Sequence, residues 1–209
     1  MVKQKLFIGD NYYDGFNGKR LMVVGHQKHA TIPEIQNYKH KPESYNYDED
    51  NRDMMGALIN GKWREWEPHD RKSLLQFGKM LTSNYTFQLG TEESNKLWNS
   101  LAFCNYLQIP DFNSETRQGK DKEYFYLFAE SVFKEYLNEA KPDKIIVWGK
   151  IVWPYIVKMG TPIDDGRCII HLESSKPIDV LSIYHPSRLG IGGYPVIMKR
   201  IKDFLQEQL

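Results

Sequence analysis

Cysteine is almost absent from this chain of 209 residues, which contains only Cys104 and Cys168. Two cysteines cannot build the disulfide framework of a small secreted domain, and they cannot supply the four thiolates of an iron–sulfur cluster within one chain. Both lie in apolar stretches, where cysteine usually behaves as a small buried hydrophobe. The sequence therefore predicts a reducing compartment.

Long apolar runs and a charge excess are also absent. No stretch approaches the roughly 18 apolar residues that span a bilayer, and the N-terminal apolar run is too short for a signal peptide. The net charge is +1, so no global field attracts nucleic acid, although a local basic groove can do so in a neutral protein. With 41% hydrophobic and 26% charged residues, the chain is typical of globular proteins. We expect one cytoplasmic domain over 1–209, monomeric and without a membrane partner.

Motifs for metal binding and for acyl-transfer chemistry are missing too. His26, His29, His40 and His69 lack a compact ligand spacing, and there is no paired-cysteine motif. We therefore expect neither metal nor cofactor. No G-x-S-x-G nucleophile turn appears, which disfavours a hydrolase of the α/β type.

Four short segments rich in Val, Ile, Leu and aromatic residues stand between polar or turn residues. Continuous apolar runs of this length are typical of strands buried on both faces, as in parallel sheets. The segments are "RLMVVG" at 20–25, "SLAFCNYL" at 100–107, "KIIVWG" at 144–149 and "IDVLSIYHP" at 178–186.

Helical spacing of apolar residues lies between or after these strands. It covers 70–82, 120–139 and 194–209, each with apolar residues three or four positions apart. Alternating strands and helices predict an α/β fold, here a three-layer α/β/α sandwich around a mainly parallel four-stranded sheet. Residues 27–69 break the pattern, since they are polar and weakly periodic; we interpret them as a long insertion, a lid or a substrate-facing loop. Segment 108–119 is also predicted as loop.

The residues that follow each predicted strand are unusually polar. The first strand runs into Gly25-His26-Gln27-Lys28, the second carries Asn105, the third ends at Gly149-Lys150, and the fourth runs into His185-Pro186-Ser187-Arg188. In open α/β sheets the ligand crevice lies outside the carboxyl ends of the strands. These residues are therefore expected to form one site, with Tyr184 to Ser187 as one wall.

In this order, the segments "LMVVGHQKH", "LAFCNYLQ", "KPDKIIVWGK" and "SIYHPSR" resemble the uracil-DNA glycosylase superfamily. The resemblance implies cleavage of the N-glycosidic bond of a damaged or modified base turned out of DNA, single- or double-stranded. It implies that the Asn105 amide reads the polar edge of the base. It also implies that His185 stabilises charge on the departing base.

The same resemblance implies the contacts to the DNA backbone. Pro186 would hold the turn after the last strand, while Ser187 and nearby backbone N–H groups would bind phosphate. Arg188 and Lys28 would add further phosphate contacts.

The first loop departs from the superfamily pattern. Many members carry Asp, Asn or Glu there to position the attacking water, whereas Gly25 is followed by His26 and Gln27. Gln27 orients water but is a poor base, and His26 accepts a proton only if it titrates near neutrality. The resemblance also implies an aromatic ring against the base, downstream of the first motif, a role for Tyr45 or Tyr47, and it makes Gly25 a substrate-binding residue. The changed loop is compatible with uracil or with a bulkier modified pyrimidine as target.

Simpler explanations exist for the same residues. His185 can cap a backbone carbonyl at a strand end, Asn105 can satisfy local backbone groups, and Gly25 can be a tight strand exit. The five tryptophans are more typical of packing than of base stacking. The alternative function is a catalytically silent module that binds nucleic acid, a nucleotide or a protein through the same pocket, and the missing acid favours it.

Overall fold

A computed structural model of the chain describes residues 4–27, 50–65, 68–108, 122–173, 176–188 and 193–207. Every structural statement below concerns these residues. None of their helices combines the length and the apolar character needed to cross a membrane.

A single mixed sheet of seven strands organises the described part of the chain. Its order is β1-β3-β2-β4-β7-β6-β5. The four central strands β3, β2, β4 and β7 run parallel, while β1, β6 and β5 pair antiparallel at the two sides. The strands are β1 Phe7–Ile8, β2 Leu21–Gly25, β3 Leu101–Asn105, β4 Lys144–Trp148, β5 Gly160–Asp164, β6 Arg167–Ile170 and β7 Ile178–Ile183.

Six α-helices accompany the sheet in these ranges. They are α1 Asp50–Ile59, α2 Pro68–Thr82, α3 Glu92–Asn99, α4 Lys122–Ala140, α5 Trp153–Ile156 and α6 Tyr194–Gln206. Short 3₁₀ turns occupy Lys62–Glu65, Val157–Met159 and Pro186–Arg188. The last of these turns directly follows β7 and carries part of the predicted site.

Two hydrophobic clusters lie on opposite faces of the sheet, because successive strand residues point to opposite sides. Val23 and Phe103 belong to the first-face cluster, which includes residues of α1, α2, α3 and α6. Val24 and Cys104 belong to the second-face cluster, with residues of α4 and α5. Helices therefore cover both faces, and the four central strands are buried throughout, as their unbroken apolar segments predicted.

The prediction of a four-stranded sheet is wrong, since the sheet has seven strands. The predicted four are the parallel centre. The missed strands are too short or too exposed to show a continuous apolar run: β1 has two residues, and β5 is mostly exposed and contains Pro162. Such a strand tolerates proline because it lies at the sheet edge.

The prediction of loop over 27–69 is wrong for its second half. Residues Asp50–Ile59 form α1, and the side chains of Met55 and Leu58 are fully buried in the first-face cluster. These two residues lie three apart, on one face of the helix. Two buried side chains in a polar stretch give only a weak periodic signal. Residues 28–49 lie outside the described part, so the expected lid there is untested.

Candidate functional site

The carboxyl ends of the four parallel strands meet at one edge of the sheet. The register pairs Gly25 with Asn105, and Trp148 with Ile183. From β2 the chain continues to β3 on one side, whereas from β4 it continues through β5 and β6 to β7, all of which lie on the other side. A ligand crevice in open α/β sheets lies where connections diverge in this way. The candidate site is therefore centred on the edge between β2 and β4.

The side chain of Asn105 lies across Gly25. A Cβ atom placed on Gly25 would sit 2.6 Å from Asn105 Oδ1 and 3.3 Å from the Phe103 ring. That approach is shorter than any ordinary Cβ contact, so only glycine leaves room for the amide in this position. Asn105 is 6% exposed, and its direction places it on the first face of the sheet with Phe103. Close packing against Asn105, the predicted base-reading residue, therefore explains why position 25 is glycine.

His185 reaches the same face through an aromatic cluster at the ends of β3 and β4. The rings of Trp148 and His185 meet edge to face, with centroids 6.1 Å apart. Trp148 also contacts Phe77 of α2 at 4.8 Å and Phe103 at 5.7 Å between centroids. The rings of Phe77, Phe103 and Trp148, here called the aromatic floor, pack together on the first face of the sheet. The structure therefore brings the two predicted residues to one side of one edge.

Gly149 shapes the turn that lets His185 approach. Its φ is +87°, in the left-handed region that favours glycine, and its N–H donates to the carbonyl of Ile183 at 2.8 Å. This bond joins the turn after β4 to the end of β7. The backbone beside the His185 imidazole is consequently joined to both β4 and β7.

The imidazole of His185 is oriented by Ser187. Ser187 Oγ lies 2.8 Å from His185 Nδ1, and the Ser187 backbone N–H donates to the same nitrogen at 3.4 Å. A backbone N–H can only donate, so Nδ1 is the acceptor in this contact. The tautomer that satisfies the contact carries its proton on Nε2, and in that tautomer Nε2–H is a hydrogen-bond donor.

His26 faces a different environment. Its Nε2 lies 3.0 Å from the hydroxyl of Tyr126, in the second-face cluster. Tyr126 stacks on Tyr155 with centroids 3.8 Å apart, and Tyr106 lies beside both. Burial is the main reason that the pKa of Tyr106 is raised, so this phenol remains protonated. The structure does not bring His26 to the face on which Asn105 and His185 lie.

The rim of the site is cationic and exposed. Lys150 Nζ lies 4.8 Å from the centre of the Tyr184 ring, and Tyr184 is 53% exposed. Arg188 is exposed on the 3₁₀ turn, and its backbone N–H donates to the carbonyl of His185 at 2.9 Å. The two cations therefore belong to the same chain segments as the left-handed Gly149 and as His185.

Of the remaining predicted site residues, the structure describes only Gln27. Gln27 is half-buried at the end of the described segment, one residue beyond His26. Lys28, Tyr45 and Tyr47 lie outside the described residues, so their predicted contacts are untested.

Sequence reasoning missed the aromatic floor. Trp148 and Phe77 were interpreted as ordinary packing or as a helix face, and they are indeed buried. Trp148 nevertheless had a recognisable position, because it is the last residue of β4 and directly precedes the left-handed Gly149. Phe77 gave no such signal, since its contact with Trp148 depends on how α2 packs.

Within the described ranges, no three His, Cys, Asp or Glu side chains cluster closely enough to hold a metal ion.

No protein-family model matches the chain, and no curated protein matches it either.

Proposed function

We propose that the protein is a DNA glycosylase that hydrolyses the N-glycosidic bond of a flipped-out base, uracil or a bulkier modified pyrimidine. The observation that carries the proposal is the convergence of Asn105 and His185 on one face of the sheet edge, above a shared aromatic floor. The resemblance to the uracil-DNA glycosylase superfamily supports it. The helices on both sheet faces also suit the three-layer α/β/α sandwich that the resemblance implies.

The spacing of the two residues suits one nucleobase. Their strands, β3 and β7, are separated by β2 and β4, which amounts to about 14 Å at the backbone. Asn105 Oδ1 lies over Gly25 of β2 and the His185 ring lies beside Trp148 of β4, so each side chain lies against the strand next to its own. We propose that one planar base occupies the space between them. The Asn105 amide supplies a donor and an acceptor, as a pyrimidine edge requires.

The tautomer of His185 that accepts from the Ser187 backbone N–H at Nδ1 suits the chemistry. As the glycosidic bond breaks, its electron pair leaves with the base, and negative charge grows on the base oxygen. The Nε2–H of His185 then donates to that oxygen most strongly in the transition state. Removing a donor of this kind costs about 10²–10³-fold in rate. Ser187 is thereby a positioning residue, because it keeps the proton on Nε2.

Water completes the reaction at the sugar. Its oxygen bonds to C1′ and it releases one proton, which neutralises the base anion directly or through solvent. We assign the orientation of this water to Gln27, because His26 Nε2 is directed to Tyr126. Gln27 removes no proton, so the sugar must carry most of its positive charge before water attacks. Lys150 and Arg188 would contact the phosphates beside the extruded nucleotide.

The test is base release from oligonucleotides. Duplex and single-stranded oligonucleotides containing uracil, hypoxanthine or bulky modified pyrimidines are incubated with the protein, and abasic sites are detected by alkaline cleavage. We expect product with at least one base, and a loss of about 10²–10³-fold in single-turnover rate for His185→Ala. The exposed His171 supplies the matched control, since His171→Ala should retain the rate.

The alternative function, a binding module without catalysis, has one observation in its favour. The loop Gly25-His26-Gln27 contains no carboxylate to activate water. Binding of the same oligonucleotides without abasic product from any of them would establish the module and exclude the glycosylase.

A further inference from the structure

A groove of about 760 Å³ lies outside the candidate site, between α2 and the loop that follows it. Its lining combines basic and polar side chains with the apolar Leu75, Phe87 and Leu89, and none of the residues that line it is acidic. The lining side chains that matter here are Arg71, Lys72, Gln76, Lys79, Tyr85 and Gln88, which we call the basic groove. A concave surface with cations and no carboxylate attracts an anionic chain.

The helix aligns the cations of the basic groove. Lys72, Gln76 and Lys79 are spaced by four and three residues, so they lie along one face of α2. The two lysines are about 10 Å apart along the helix axis. Neither forms an ion pair with any residue of the described part, whereas Lys134 is paired with Glu130 at 2.7 Å. The groove lysines therefore keep their charge available for a partner.

An aromatic ring stands beside these lysines on a well-held loop. Tyr85 is 59% exposed. Its loop is fastened by Asn84 Oδ1, which accepts from the Thr86 backbone N–H at 2.9 Å and from Thr86 Oγ1 at 2.7 Å. The buried Phe87 ring packs directly against Gly78 of α2, where a Cβ atom would clash with it. Tyr85 is thus presented in a defined place rather than on a free loop.

We infer that the basic groove binds single-stranded DNA, with Lys72 and Lys79 on phosphates and Tyr85 stacked on a base. Exposed aromatic rings beside cations are the usual elements of single-strand binding, because every base offers a face to stack on. The choice of DNA as the anion rests on the proposed function. Gln76 and Gln88 add hydrogen-bonding groups that a polynucleotide can use without sequence preference.

The experiment measures binding of a labelled oligothymidylate of about 16 nucleotides by fluorescence anisotropy across a salt series. For Lys72→Ala/Lys79→Ala we expect the slope of log Kd against log salt to fall by about 1.4, since each lost phosphate contact removes about 0.7. Tyr85→Ala should weaken binding by ~5-fold or more with little change in slope. Lys134→Ala/Lys202→Ala removes the same charge elsewhere and should leave both quantities unchanged.

Each contrary result overturns the inference. It fails if the wild-type protein does not bind the oligonucleotide, or if the groove variant matches the Lys134/Lys202 control. It also fails if polyglutamate of equal charge binds as tightly and depends on Lys72 and Lys79, since the groove would then suit an acidic peptide. The oligonucleotide carries no damaged base, so this outcome is independent of the abasic-site assay.

Discussion

The two ends of the parallel strands use polar residues in opposite ways. At the amino ends, side chains of opposite charge form ion pairs: Lys144 and Arg167 contact Asp179 at 3.2 and 3.0 Å. Arg20 contacts Asp143 at 2.8 Å between the starts of β2 and β4. These charged side chains neutralise one another, so this end of the sheet offers little charge to a ligand.

At the carboxyl ends the polar groups are neutral donors and acceptors on an aromatic floor. The buried Asn105 amide and the His185 imidazole lie at this edge, and the cations Lys150 and Arg188 are exposed near it. The difference teaches that one edge of the sheet contributes stability, while the other is free to contribute chemistry. Substitutions at the two edges should therefore affect different measurements.

The largest effect is expected at the amino edge. Asp179 is fully buried, and Asp179→Ala leaves Lys144 charged with 3% exposure and without its carboxylate. Removing one partner of a buried pair costs about 3–5 kcal/mol in the free energy of unfolding, because the remaining charge is not compensated. Urea unfolding measures the loss.

A second substitution sharpens this result. Asp179→Ala leaves Arg167 with its second partner, Glu207, at 2.6 Å, whereas Lys144 loses the carboxylate that it contacts. Adding Lys144→Met removes that buried charge, and the double variant should recover most of the lost stability. The rate of base release per folded molecule should be unchanged in both proteins. A double variant no more stable than Asp179→Ala would show that the pair is not what stabilises this edge.

A smaller effect is expected at the carboxyl edge. There the activation free energy of base release should rise, whereas the free energy of unfolding should hardly change. Gly25→Ala introduces a Cβ atom 2.6 Å from Asn105 Oδ1 and displaces the amide. Misplacement of a substrate-positioning group by about 1 Å can cost 10²-fold in rate. We therefore expect a loss of about 100-fold in single-turnover rate, with a nearly unchanged urea midpoint because the amide can swing aside.

The matched control is Gly56→Ala in α1, where an added Cβ meets nothing within 4 Å. Alanine in a helix interior is more favourable than glycine by up to about 1 kcal/mol. This variant should be at least as stable as the wild type and equally active. Full activity in Gly25→Ala would remove Asn105 from the base-reading role.

The smallest effect is a pH dependence at the amino edge. Burial raises the pKa of Asp143, but hydrogen bonds from the Arg20 side chain and backbone outweigh it, so the pKa lies below its ordinary value. A carboxyl group with a lowered pKa stabilises the fold above its unfolded value of about 4, and the contribution is lost as pH falls through the folded value. Urea midpoints should thus fall in acid, and less steeply in Asp143→Asn. Parallel pH curves for the two proteins would contradict this assignment.

The central strands and three of the helices were predictable because each carries a continuous or periodic apolar signal. The helix α3 was not predicted, since only Leu97 and Trp98 of its eight residues are apolar and buried. A capping signal was present, however: the Thr91 side chain accepts from the Ser94 N–H at 3.2 Å, and two glutamates follow it.

For the site, the sequence order led to Asn105 and His185 because Asn105 ends one buried strand and His185 lies two residues beyond another. The direction of His26 was not predictable, since the face on which a residue just beyond a strand lies depends on its neighbours. Tyr126 comes from α4, one hundred residues later in the chain. The basic groove was likewise hidden, because Tyr85 and Lys79 meet only when the loop folds back on α2.

Two backbone hydrogen bonds fasten the turns after β2 and β3 to each other: the Tyr106 N–H donates to the Gly25 carbonyl, and the Leu107 N–H donates to the His26 carbonyl, both at 2.9 Å. Gly25 and Asn105 therefore form a ready-made frame whose geometry is set before either connection departs. It follows that sequences grafted beyond residues 27 and 108 should leave this frame intact, which makes those two junctions natural places to insert new loops.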